Sequence, residues 1–129
     1  MIAMKTGLNT VKVKKDVGRV VIILITDGRP NIPLCISEGE IFDASKMDPN
    51  SKDGIMPSRQ FLKDEILAVA KMLGTLNDFH FLCIDTEDTF VATGVAKDIA
   101  KAANGNYFHI VNADSSDISS VAKGHAVMN

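Results

Sequence analysis

Apolar residues in this chain fall into two patterns that alternate along its length. Val20-Val21-Ile22-Ile23-Leu24-Ile25 is an unbroken, β-branched run that ends in the polar turn Thr26-Asp27-Gly28-Arg29. Such a run predicts a strand of a parallel sheet, buried on both faces. Leu62, Ile66, Val69, Leu73 and Leu76 then recur every three or four positions, with Lys63, Asp64, Lys71 and Asn77 off that face. This spacing predicts an amphipathic helix over 58–76, with Pro57 at its start. A second apolar strand follows at Phe79–Asp85, also closed by an acidic turn, Asp85-Thr86-Glu87-Asp88. Ala96, Ile99, Ala100 and Ala103 mark a helix over 94–104, with Gly105 placed to end it in the left-handed conformation. A third strand is predicted at Tyr107–Val111. A last helix starts at Asp114, where Asp117 three residues on makes a capping box with acids in both roles. Upstream, residues 7–15 read as the tail of a helix, and the segment from Gly124 onward reads as a frayed tail.

Strands alternating with helices predict an α/β fold: a parallel sheet of about three strands, lying in chain order across it, with helices on both faces and right-handed crossovers. Two of three strands in such a sheet are edges, yet the strand at 20–26 carries no charge to protect one. The pattern therefore predicts further strands beside it. Between that strand and the first amphipathic helix lies a connection of about 28 residues, well beyond the usual length. Residues 35–57 of it form a long acidic loop.

Composition narrows the functional classes. The chain has 129 residues, 46% of them hydrophobic, which suits one domain with a core. A formal charge of −2 and the absence of tryptophan give neither a basic face nor a stacking platform for nucleic acid. No apolar run has the length of a membrane span and no leader pattern is seen at Met1–Lys5. Cys35 and Cys83 have neither metal-site nor redox-motif spacing. They are expected as free thiols, with Cys83 a small core residue. His80, His109 and His125 share no ligand spacing, and Gly28 is followed by proline-rich sequence, not by a phosphate-binding loop.

The chemistry suggested by the residues lies at the carboxyl ends of the strands, where open α/β sheets place their ligands. Asp27 is either one oxygen ligand of a Mg²⁺ site or a solvated turn acid. Asp85 and Glu87 would join it in an acidic rim at that end of the sheet, or would cap turns. Thr26 either supports the metal loop or simply ends the strand. Arg29 contacts a carboxylate on a partner, neutralises Asp27, or is simply a surface residue.

Four segments carry a resemblance: Ile25-Thr26-Asp27-Gly28-Arg29-x-Asn31-Ile32-Pro33-Leu34, Ile84-Asp85-Thr86-Glu87, Thr93-Gly94-x-Ala96-Lys97-x-Ile99-Ala100 and Asn104-Gly105-x-Tyr107-x-His109. Together they resemble the C-terminal von Willebrand factor A, or integrin-I, domain of magnesium-chelatase D subunits, over about residues 7–123. The resemblance implies a Rossmann-like A domain, with the acidic loop at 35–57 as an insertion, and a metal-ion-dependent adhesion site (Asp-x-Ser-x-Ser, a Thr loop and an Asp loop). Of these elements only the Asp is matched, by Asp27. The resemblance thus implies the C-terminal half of an A domain, truncated at its N-terminus, and Mg²⁺ bound in the intact parent domain but not tightly by this chain alone. The implied function is that of an interaction platform in the ATP-dependent complex that inserts Mg²⁺ into protoporphyrin IX in chlorophyll biosynthesis. Its implied partners are the ATPase motor subunit and the porphyrin-binding subunit, met through Thr26, Arg29, Asp85 and Glu87. Photosynthetic origin would place it in the chloroplast stroma of an alga or the cytoplasm of a bacterium. The alternative reading of the same acids is a small Mg²⁺-dependent α/β enzyme or phosphoacceptor domain that uses Asp27 and Asp85.

Overall fold

A computed structural model describes residues 4–6, 9, 20–41, 43, 45, 47–48, 57–77, 79–111 and 114–127. Three strands, β1 (Val20–Thr26), β2 (Phe79–Asp85) and β3 (Asn106–His109), form one parallel sheet in the order β1-β2-β3. The helices are α1 (Leu34–Ser37), α2 (Arg59–Gly74), α3 (Val95–Ala102) and α4 (Ser115–Val127). A 3₁₀ turn, Thr89–Val91, links β2 to α3. The predicted α/β class, the strand order and the parallel pairing are all present.

The register puts Ile22 and Leu24 of β1 beside Phe81 and Cys83 of β2, and Cys83 beside Tyr107 of β3. Side chains paired in this way share a face of the sheet. That face carries the core: α2 contributes Ile66, Val69, Ala70 and Leu73, and α3 contributes Val95, Ala96, Ile99 and Ala100. Met4, in a helical stretch, packs into the same cluster. On the opposite face α4 lies against β2, where Leu82 and Ile84 are fully buried. The Asn106 amide Nδ2 donates to His125 Nδ1 at 3.2 Å and ties α4 to the start of β3.

Several sequence expectations need correcting. Only β2, the central strand, is buried on both faces. β1 alternates instead, with Ile23 and Ile25 40% and 51% exposed. α4 reaches β2 and leaves the outer face of β1 uncovered among the described residues. β3 is shorter than predicted and ends at His109. Gly105 is not the left-handed residue after α3. Asn104 takes that role at φ 52°, and Gly105 N–H and Asn104 N–H close the helix on Ala100 O and Lys101 O. Gly105 has a different reason: a Cβ there would lie 2.5 Å from Phe81 O of β2.

Ser58 is the cap of α2, its hydroxyl accepting from Phe61 N–H at 3.1 Å, so Pro57 lies just outside the helix. The predicted tail from Gly124 is helical to Val127. Cys35 and Cys83 are free thiols, Cys83 in the core. The helix tail predicted over 7–15 lies outside the described residues apart from Asn9, as does much of the 35–57 insertion.

Candidate functional site at the carboxyl end of the sheet

Thr26 and Asp85 are register partners, so the loops that leave β1 and β2 start level with each other. Thr86 N–H donates to Thr26 O at 2.9 Å and extends the pairing one residue beyond the strands. The chain then turns sharply. Gly28 N–H donates to Thr26 Oγ1 at 3.0 Å, and Arg29 N–H to Asp27 Oδ1 at 3.1 Å. These are the side-chain turns that Thr and Asp form when the backbone must fold back on itself. Gly28 sits at φ +72°, and a Cβ on it would meet Thr93 Oγ1 at 2.9 Å and Glu87 Oε2 at 3.1 Å. Glycine is required here both by conformation and by space.

What fills that space is a buried carboxylate network. Asp85 and Glu87 are each only 2% exposed. Asp85 Oδ1 accepts from Glu87 N–H at 2.9 Å, and Oδ2 accepts from the Tyr107 hydroxyl at 2.8 Å. Glu87 Oε2 accepts from Thr93 N–H at 2.7 Å. The single Thr93 hydroxyl proton is shared between Glu87 Oε2 and Gly28 O, each 3.2 Å away. His109 Nε2 lies 2.7 Å from Glu87 O, and a carbonyl only accepts, so Nε2 carries the proton. Glu87 Oε1 is buried without a hydrogen bond. Its nearest cation is Arg29, whose Nε lies 3.8 Å away, an ion pair too long to be a hydrogen bond.

This network shifts two neighbours. Burial first, and then the hydrogen bond to Asp85, pushes the Tyr107 phenol up to about 12. Burial and the Asp85 charge push the Cys83 thiol up to about 12, so it is a protonated core residue and no nucleophile.

The structure therefore divides the expected site residues. Asp27 and Arg29 are exposed and Thr26 is half-buried. Asp85 and Glu87, expected on an open acidic rim, are interior. Carboxylates this deep persist only where donors meet them, and backbone N–H groups, Thr93 and Tyr107 do so. Both Asp85 oxygens accept hydrogen bonds within this network, whereas Asp27 stands exposed on the neighbouring loop. Arg29 is a surface residue whose Nε lies toward Glu87, 3.8 Å from Oε1, rather than toward Asp27.

Thr93, Tyr107 and His109 were not marked as site residues in the sequence. Their only signal was membership in the motifs that carried the resemblance.

Among the described residues no three His, Cys, Asp or Glu side chains are grouped to hold a metal ion. Asp27 is the one exposed carboxylate on its loop, and one of its oxygens is already held by Arg29 N–H. The described residues thus do not fit a Mg²⁺ site, because a single carboxylate does not replace the ion's octahedral shell.

No protein-family model matches the chain, and no solved structure matches it. Curated relatives do. The chain is 35% identical over 121 residues to the magnesium-chelatase 67 kDa subunit of Heliobacterium mobile, a match covering 94% of the chain and 15% of that protein. The magnesium-chelatase 67 kDa subunit of Chlorobaculum tepidum is 29% identical over 118 residues, and that of Chlorobaculum parvum 28% over 118; each match covers 90% of this chain and 17% of the relative. The chain spans about a sixth of the length of these relatives. Nearly the whole of this chain is thus similar to one segment of magnesium-chelatase 67 kDa subunits.

Proposed function

We propose that this chain is an interaction module of a magnesium-chelatase assembly, which inserts Mg²⁺ into protoporphyrin IX, and that its contact face is the carboxyl end of the sheet. The observation that carries this reading is the similarity over 94% of the chain to a magnesium-chelatase 67 kDa subunit. The site geometry supports the choice of face. Strand carboxyl ends are where α/β sheets place their ligands. Here two loops are fixed against each other by Thr93, Gly28 and Glu87, which leaves Asp27 and Arg29 exposed on a prearranged backbone. Prearrangement lowers the ordering cost of binding. Asp85 and Glu87 act from beneath the face, by holding the loops. The proposed partners are the ATPase motor subunit and the porphyrin-binding subunit.

The test is a pull-down of those two subunits by the chain, run beside a metallation assay of the assembled complex. Asp27→Lys should weaken capture and lower metallation, while ATP hydrolysis by the motor subunit continues. If this variant assembles and metallates as the unmodified chain does, the contact face is elsewhere.

A further inference from the structure

Phe90 stands out from every other large apolar side chain near the proposed face. It is 96% exposed, on the 3₁₀ turn between β2 and α3. An exposed phenylalanine on a loose loop would be unremarkable, but this loop is fixed at several points. Glu87 Oε2 accepts from Thr93 N–H at 2.7 Å, which joins the two ends of the segment that carries Phe90. Asp88 Oδ1 accepts from Phe90 N–H at 3.1 Å and caps the turn. His109 Nε2 holds Glu87 O at 2.7 Å, and Thr93 Oγ1 reaches Gly28 O at 3.2 Å, which sets the loop against the one that carries Asp27 and Arg29. The protein therefore spends a buried carboxylate on presenting a bare aromatic ring to solvent.

The surroundings specify what the ring would meet. Arg29 faces the buried Glu87, which offsets its charge. Asp27 and Asp88 are exposed, and neither forms an ion pair with a basic side chain among the described residues. The loop thus presents an aromatic anchor beside exposed, unpaired acids. Its complement is a protein surface with an apolar pocket and Lys or Arg on the rim. Such cations would pair with Asp27 and Asp88 and lie over the ring face. The same acids disfavour an anionic membrane surface, which attracts basic segments.

We propose that Phe90 is the anchor of the chain's protein contact, seated in an apolar, basic-rimmed pocket of a neighbouring subunit. This rests on the reading that the chain works as an interaction module. The experiment measures binding of the full chain to purified motor and porphyrin-binding subunits at two salt concentrations. Phe90→Ala should weaken binding at least tenfold, about 1.4 kcal/mol, at both salts and without lowering the melting temperature. Asp88→Asn keeps the turn cap and removes the charge, so it should weaken binding several-fold at low salt only. A benzoylphenylalanine in place of Phe90 should cross-link to the partner. Unchanged affinity for Phe90→Ala, with Asp27→Lys still impaired, overturns the anchor and leaves the interaction-module reading standing. No binding by the unmodified chain to either subunit overturns both. Binding of the chain to anionic vesicles that Phe90→Ala abolishes, with protein binding intact, assigns the ring to a lipid surface and overturns the proposal as well.

Discussion

Tyr107 is the protein's one tyrosine, and the chain has no tryptophan, so its phenol can be followed by near-ultraviolet absorbance without interference. Burial and the hydrogen bond to Asp85 raise its pKa from 10.0 to about 12. The protonated phenol is the form favoured by folding. Its stabilising contribution is therefore complete below the unfolded value of 10.0 and is lost as the pH climbs toward about 12. The native chain should show phenolate absorbance two pH units late, and Asp85→Ala should bring it back toward the ordinary range. Ionisation near the ordinary value in the native chain would contradict both the burial of Tyr107 and its bond to Asp85. This pair also shows the limit of sequence reading at the residue scale. Asp27, Asp85 and Glu87 were visible as strand-end acids, but which were open and which interior was not. That is decided by the register that sets Asp85 beside His109 and Cys83 beside Tyr107, and register has no signature within a single strand.

At the scale of elements, the helices were the most legible. The apolar spacing of 62–76 and of 96–103 returned as the buried faces of α2 and α3, because period and burial are the same physical fact. The strands were less so. An all-aliphatic β1 reads as doubly buried, yet its outer face is half open, since apolar content does not say how far a covering helix reaches. The capping box predicted at Asp114 is present. Asp114 Oδ1 accepts from Ser116 N–H at 2.8 Å and Asp117 N–H at 3.0 Å, and Asp117 Oδ2 accepts from Asp114 N–H at 3.4 Å. These bonds, with the Ser116 hydroxyl foremost, hold the Asp114 carboxyl below the usual carboxylate range. A lowered acid stabilises the helix above its unfolded pKa, and that contribution fades as the pH falls through the folded value. The protection of the Ser116 and Asp117 amides, relative to their intrinsic exchange rates, should therefore fall in acid. Asp114→Ala should show the same loss of protection at neutral pH and Asp114→Asn far less, since asparagine also caps. Equal exchange in all three proteins would remove the cap from the account of α4.

For the whole molecule, the order β1-β2-β3 followed from the alternation of strands and helices. It leaves β1 paired only with β2 among the described strands, with Ile23 and Ile25 open on one face. An uncharged strand of this kind templates further pairing. The chain should self-associate with rising concentration in sedimentation, and Ile23→Lys with Ile25→Thr should shift it toward the monomer. A monomer at every concentration would show that this face is harmless as it stands. The central claim, however, concerns the other end of the sheet: the loops after β1 and β2 are where the chain meets its partners. Amide hydrogen exchange of the chain, with and without the motor and porphyrin-binding subunits, tests it most directly. The account predicts added protection at Asp27–Arg29 and Thr86–Thr93, with the amino ends of the strands unchanged. Protection confined to the amino ends of the strands, or to the outer face of β1, would contradict it.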